Sequence, residues 1–429
     1  MEKLKFLVSG ELFFVLFLTS GAFKESLEMG FDVAPLFLGC TLLSILYRIN
    51  LDRIIKRKYV LPIFLFFLLL LVILLSLVYS DSLINSKVKI IKFILLTMPA
   101  FLIPFFLIKN SAEALNKFYL FICGIAAVLS VIALYNYFIV SSAAFGFVGF
   151  NEGNYLGLGR ITGMALIILI TNFLLGNISK GFKVISLISL IIIMTTLFIA
   201  GSRMPLIASI IIIAYLIITS IKINKGIIYL RKGTKLLFSL VLITSFFVAY
   251  LARKGFLDTI IYRMSVLFSE DGGASANERV LRYGSALNQW LDNPLFGNGI
   301  GSFGINYNGI DMRAYPHNIF LEFLSELGIL GFVIFITLII IGLIHSYNAF
   351  KSNKELNNLN LTTVSVFVFL LINASISGDI NDNRMLFTFI SLLCILSILH
   401  KKRESNRIIN NQSKIFRKGI INIVRSPLK

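Results

Sequence analysis

Apolar residues run uninterrupted in this chain for longer than a water-soluble fold needs, and they do so repeatedly. A helix of roughly 17–25 apolar residues crosses a bilayer while satisfying all its backbone hydrogen bonds internally. Such runs lie near 4–20, 31–47, 60–79, 88–108, 117–140, 158–175, 182–200, 204–221, 236–252, 328–345, 361–377 and 385–400. The pattern predicts about twelve membrane-spanning helices. With 57% hydrophobic and 14% charged residues and a mean hydropathy of +0.88, the chain is excluded from the water-soluble class. The expected fold class is an all-α integral membrane protein. Lys3 and Lys5 before the first run, and Ser20, Gly21 and Ala22 after it, imitate a signal peptide. The many further runs make an uncleaved first helix the better reading.

A net charge of +19 invites a nucleic-acid reading, but the placement of the charges answers it. With the N-terminus inside, Arg48, Arg53, Lys56, Arg57, Lys58, Lys222, Lys225, Arg231, Lys232 and Lys235 fall in cytoplasmic connections. The tail after His400 adds nine more basic residues, Lys401 to Lys429. Outer segments hold fewer, among them Arg203, Arg253, Arg263, Arg279, Arg282, Arg313 and Arg384. The positive-inside rule then puts both termini in the cytoplasm and accounts for the basic excess without nucleic acid. The tail is placed to rest on anionic headgroups. Cys40, Cys123 and Cys394 all lie in apolar runs with no short spacing, so neither a disulfide framework nor a metal cluster is indicated.

Most connections are short, but one is much the longest, and long loops in compact folds usually carry function. The expected organisation is an N-terminal bundle of about nine spans over 1–252, an outer loop over 253–317, about three further spans over 318–400, and a cytoplasmic tail over 401–429. Within the loop, Val280, Tyr283, Ala286, Leu287 and Trp290 recur at helical spacing, so 279–291 reads as an amphipathic helix with Trp290 as interfacial anchor. The stretch 319–327 also reads as helix, with Glu322, Ser325 and Glu326 on one face and Gly328 and Gly331 opening the next span.

Gly299-Ile300-Gly301-Ser302-Phe303-Gly304 fits GxGxxG, but a dinucleotide site needs that pattern between a strand and a helix. Here the glycines are read as letting backbone pass close to a ligand or another helix. Arg203 stands at a tight turn between two apolar helices, where a guanidinium needs an anion or carbonyls, the plain alternative being a headgroup contact. Several arginines around one cavity suit a diphosphate, whose oxygens accept the guanidinium fork bidentately. His317 follows Pro316 and opens a helix; His345 and His400 sit at the other ends of spans, where an interfacial role suffices.

Over residues 275–331 the chain resembles the O-antigen ligase and polymerase superfamily of bacterial membrane glycosyltransferases. The motifs are Asn277-Glu278-Arg279 with Tyr283, Asn293-Pro294-Leu295-Phe296-Gly297-Asn298-Gly299-Ile300-Gly301-Ser302-Phe303, and His317-Asn318 followed by Gly328-Ile329-Leu330-Gly331. A weaker likeness covers Asn151-Glu152-Gly153-Asn154 and Gly201-Ser202-Arg203, while the first 140 residues match only as a run of membrane helices. Tyr283 stands where the family usually shows tryptophan.

The resemblance implies C-type glycosyltransferase architecture in the bacterial cytoplasmic (inner) membrane, with the outer loop lidding a membrane cavity. It implies a polyprenyl-diphosphate-linked glycan donor, a glycan or lipid A core acceptor, flippase and chain-length regulator proteins as partners, and neither metal nor nucleotide. Carried onto this chain, Arg203 and Arg279 stabilise the departing diphosphate and His317 orients or deprotonates the acceptor hydroxyl as the reaction inverts the anomeric centre. Arg282, Asn154, Asn318, Gly299 and Gly301 are the expected substrate-binding residues. Glu278, Glu322, Asp379 and Asp382 are left as supporting or acceptor contacts. Polymerase of O-antigen, capsule or exopolysaccharide units and ligase share this site, so the motifs do not separate them. A transporter of lipid-linked glycans is the alternative from another class, and it predicts charges deep in several helices.

Overall fold

The computed structural model describes residues 9–23, 32–48, 57–109, 111–140, 155–175, 180–224, 227–230, 232–267, 273–352, 356–397 and 399. Asn154, His400 and the basic tail lie outside these residues. A helix occurs at each apolar run. In order these are α1 (Gly10–Thr19), α2 (Val33–Arg48), α3 (Arg57–Leu75), α4 (Asn85–Leu107), α5 (Ala112–Tyr135), α6 (Tyr155–Leu175), α7 (Lys180–Ile199) and α8 (Arg203–Ser220). Then come α9 (Lys232–Arg253), α10 (Asp258–Leu267), α11 (Ala274–Asp292), α12 (Phe303–Asn308), α13 (Ile319–Ser352), α14 (Asn357–Ala374) and α15 (Arg384–Ser397). Among the described residues seven helices are long and apolar enough to cross a membrane, and four shorter apolar helices accompany them. The protein is an all-α integral membrane protein.

Two details differ from the sequence reading. Ile221–Asn224 and Ile227–Leu230, expected as plain connection, pair as an antiparallel hairpin with Ile221 opposite Leu230. The alternation Ile-Lys-Ile-Asn permits a strand where the preceding helix ends. The long connection is also largely helical, since α10, α11 and α12 occupy it, and α11 begins five residues before the helix read from the aromatic spacing.

Helix α6 is central, with 78% of its apolar window buried. Apolar surface gains nothing by leaving lipid for protein, so helices in a membrane associate through close packing of small residues and aromatic contacts. On α6, a side chain at Gly159 would collide with Ser202 and one at Gly163 with Phe369, so both glycines bring α8 and α14 close. Phe66 stacks on Phe101 and Phe93 at centroid distances of 4.3 and 5.7 Å, tying α3 to α4, while Phe387 of α15 meets it edge-on at 6.2 Å.

Helix α13 is broken. Gly328 has φ 63° and ψ −166°, which divides a short half-helix, 319–327, from the long span after it. Freed backbone groups inside a membrane protein must find partners within the protein. The strap 294–299 supplies them: Asn298 N and Gly299 N donate to Ser325 O and Glu326 O, both at 2.9 Å, and Ile329 N donates to Pro294 O at 2.9 Å. Gly297 and Gly328 lie face to face, such that a Cβ on Gly297 would stand 2.6 Å from Gly328 N and one on Gly328 would stand 2.6 Å from Gly297 N. The glycine-rich motif thus serves to press one backbone against another.

Candidate active site

Helix α11 carries Glu278, Arg279 and Arg282 on adjoining turns, the spacing that puts residues three and four apart on one face. Arg282 is held by three contacts. Its Nε donates to Glu278 Oε1 at 3.0 Å, one terminal nitrogen donates to the Tyr315 carbonyl at 3.2 Å, and its guanidinium lies 5.0 Å from the Tyr307 ring centre. The Tyr307 hydroxyl donates to the same Glu278 oxygen at 3.0 Å. Arg279, half-buried one turn back, is the cation beside this clamp.

His317 sits against these arginines in an uncommon backbone state, φ 63°. That left-handed conformation costs a residue with a Cβ on the order of 1–2 kcal/mol, so its surroundings must hold it. Asn318 does part of the holding: its Oδ1 accepts from Phe320 N at 2.9 Å and Leu321 N at 3.2 Å, capping α13. The imidazole packs on Tyr315 with ring centres 4.5 Å apart, and its Nδ1 is buried without a hydrogen bond. Burial, then the positive charges of Arg279 and Arg282, push the His317 pKa down from 6.5 to about 4. The histidine is therefore neutral at physiological pH, with a proton acceptor to offer.

Tyr315 also touches a second group of charges, in which cations and carboxylates are mixed. Arg313 lies over the ring at 5.2 Å and donates to Asp379 Oδ2 at 3.1 Å and Asp382 Oδ2 at 2.7 Å. Arg160, from α6, donates to the carbonyls of Ser377 at 2.8 Å and Asp382 at 3.3 Å. Burial, then the neighbouring Asp379, raise the Asp382 carboxyl from its ordinary value, against the lowering by Arg313 and Arg160. These groups floor a cavity of about 440 Å³ between the ends of α1, α4 and α6 and the 377–386 turn. A larger cavity of about 760 Å³ lies elsewhere, where the C-terminal parts of α8 and α13 meet α14. Its lining contains no Lys, Arg, His, Asp or Glu, so size does not locate the chemistry.

Beneath the half-helix lies a buried ion cluster. Lys89 Nζ of α4 reaches Glu322 Oε1 at 2.5 Å and Glu326 Oε2 at 2.6 Å, with all three side chains 6% exposed or less. One oxygen of each carboxylate has no hydrogen-bond partner. Lys89 escaped the sequence reading because it stands between Lys87 and Lys92 at the start of a span, and Arg160 because it sits singly among apolar and glycine residues. A charge at such a position requires a partner, and Glu322 and Glu326, one turn apart on an otherwise apolar stretch, were the visible half of this one.

The structure brings together His317, Arg279 and Arg282. Arg203 opens α8 at the turn where Ser202 meets Gly159 of α6, and is 8% exposed. Two of the expected substrate-binding residues have other employment. Gly299 packs on Ser80 and Ser76 backbone, and Gly301 on Ser86 and Asn85 backbone, so of the two purposes read for these glycines they serve approach to protein. Asn318 uses its Oδ1 in the cap, and Asn154 lies outside the described residues. Trp290 donates to the Pro294 carbonyl at 3.2 Å, tying the end of α11 to the strap.

Residues 187–336 match the family model described as O-antigen ligase. Over that segment the chain is similar to O-antigen ligases. The match covers about a third of the chain and takes in Arg203, Arg279, Arg282, His317 and the Gly328 break. Lys89, Asn154, Arg160, Asp379 and Asp382 lie outside it. No curated protein matches the sequence. The protein is thus a membrane protein with a segment similar to O-antigen ligases.

Proposed function

We propose that this protein is a polysaccharide polymerase at the outer face of the bacterial cytoplasmic membrane. It transfers a glycan from a polyprenyl-diphosphate carrier to the sugar of another carrier-linked repeat unit. The observation that carries this reading is the neutral His317 imidazole beside Arg279 and Arg282, a proton acceptor set against cations suited to a diphosphate. Both termini are assigned to the cytoplasm by the bias of basic residues.

In the reaction an acceptor hydroxyl attacks the anomeric carbon from the face opposite the diphosphate, which inverts that centre. The new C–O bond forms as the bond to the phosphate oxygen breaks, and the electron pair leaves with the diphosphate. Arg279 and Arg203 stabilise the charge that grows there, so that the protein's own cations carry the leaving group and no metal is required. The hydroxyl proton passes to His317. A base with a pKa near 4 is weak, but the guanidinium field is part of what depresses it. A bound diphosphate neutralises that field and raises the basicity of His317, so proton abstraction is strongest when the donor is in place.

The test compares surface glycan and carrier-linked glycan in a deletion strain carrying wild-type or His317→Asn protein. Surface glycan cut to single repeat units in the deletion strain, restored by wild type and not by the variant, is the expected result. Long chains stranded on the carrier would mean a ligase instead. Unaltered surface and carrier-linked glycans in the deletion strain would overturn both.

A further inference from the structure

Asp311 stands outside the motifs that point to the site, six residues before His317, yet its carboxylate receives four hydrogen bonds. Ser82 Oγ and Asn85 N donate to its Oδ1 at 2.5 and 3.2 Å, and Leu83 N and Ile84 N donate to its Oδ2 at 2.9 and 2.8 Å. The amides stand at the start of α4, where helix donors lack partners within the helix and where the N-cap, Ile84, has no side-chain oxygen to supply. We infer that Asp311 is a positioning residue, which fixes the His317 imidazole in the site by clasping its connection to α4; this rests on the glycosyl-transfer reading above.

The connection needs such a clasp. Residues 309–318, between α12 and α13, form neither helix nor strand, and the one backbone hydrogen bond closed within them runs from Met312 N to Ile310 O at 2.8 Å. Their path is therefore set by groups on other elements. Asp311 reaches α4, Arg313 reaches Asp379 and Asp382, the Tyr315 carbonyl is held by Arg282 of α11, and Asn318 caps α13. Along this path His317 takes φ 63°, a state its own backbone disfavours and only its surroundings can impose.

Helix α4 grips both flanks of the histidine. Ahead of it, the first amides of α4 hold Asp311; behind it, Lys89, one turn along the same helix, holds Glu322 and Glu326. Asn85 adds a tie at the start of α12, donating from Nδ2 to Gly301 O at 2.9 Å. His317 thus hangs between two points fixed on one rigid element. Burial raises the Asp311 carboxyl, but its four hydrogen bonds win and lower it below its ordinary 3.8, so it is an anion at the positive end of α4. Releasing this front point lets the imidazole leave its burial and the field of Arg279, Arg282 and Arg313, which together outweigh Glu278 and keep it neutral.

The experiment titrates His317 by NMR in full-length, histidine-labelled protein in nanodiscs. The chain has three histidines, so His345→Asn and His400→Asn assign the spectrum. Asp311→Asn keeps the side-chain shape but turns an NH₂ group toward the α4 donors, where only an acceptor is of use. Wild-type His317 should titrate near 4, and in Asp311→Asn its pKa should move up toward 6.5. Turnover of carrier-linked repeat units should fall roughly 10- to 100-fold, the scale of a misplaced catalytic group. Inhibition by inorganic pyrophosphate should stay within about twofold, since Arg279 is carried by α11 and not by the connection. An unchanged His317 titration in folded Asp311→Asn, or pyrophosphate inhibition lost in parallel with turnover, overturns the positioning role. Where that variant fails to fold, Ser82→Ala, which removes one of the four donors, decides by the same criteria. Wild-type protein that forms no glycosidic bond overturns the glycosyl-transfer reading, whereas the titration, read without turnover, still decides whether Asp311 holds the histidine.

Discussion

Lys89 Nζ stands 2.5 Å from Glu322 Oε1, joining the α4 span to the half-helix that begins two residues after His317. With Glu326 on the same ammonium, two buried carboxylates depend on one cation. Removing the lysine leaves them uncompensated, at a cost on the order of 3–5 kcal/mol. Lys89→Met should therefore lower thermal stability in detergent sharply. The triple variant Lys89→Met, Glu322→Gln, Glu326→Gln should recover most of that loss, because neutral amides no longer need the cation. Equal melting temperatures for wild type and Lys89→Met would contradict the cluster's role.

His317 predicts a shifted pH profile. Its neutral form is the active one, and burial and the arginines hold its pKa at about 4, so activity of the free enzyme should decline only as pH falls toward 4. Arg279→Gln removes one cation and should move this acid limb to higher pH. The sign for stability is the same: the unfolded chain takes up a proton below its ordinary 6.5 and the folded histidine resists it, so stability drops as pH falls from 6.5 through 4. A limb at 6.5 in wild type would show an unperturbed histidine. His317→Asn tolerates the left-handed backbone and should lower turnover roughly 10²- to 10⁴-fold while the fold is kept.

Arg279→Ala should weaken diphosphate recognition by on the order of 2–5 kcal/mol, the range for truncating one partner of a close charge pair. Inhibition by inorganic pyrophosphate measures it. Unaltered inhibition together with unaltered turnover would remove Arg279 from the site.

Glycines at positive φ should differ in their sensitivity. Gly309→Ala meets no atom within 4 Å at φ 75°, so it should cost only the left-handed penalty, about 1–2 kcal/mol. Gly297→Ala carries the same penalty and also strikes the Glu326 carbonyl and Gly328 N at 2.6 Å, so it should unfold at clearly lower temperature. Equal melting points would mean that the strap yields.

Much of the fold was legible because its causes are local. Whether a run of residues crosses a membrane depends on its own length and apolarity, so the apolar runs announced the helices. The break at Gly328 was half visible: the two glycines marked a new start, but the left-handed turn and the strap that satisfies its backbone join residues about 30 positions apart. For the site, the likeness of 275–331 pointed to Arg279 and His317. For Gly299 and Gly301 it left two readings, and the structure shows both against neighbouring backbone, because a motif does not say what a glycine lies against.

By itself the sequence determined that this chain lives in a membrane, where its helices lie, and which family residues 187–336 resemble, because hydropathy and motif spacing are properties of contiguous residues. Only the tertiary structure decided that Lys89 serves Glu322 and Glu326 and that Arg313 binds Asp379 and Asp382. Those partners are separated by 66 to 237 positions along the chain. A charge in a low-dielectric interior must be matched in space, and its own neighbours in sequence do not say by what.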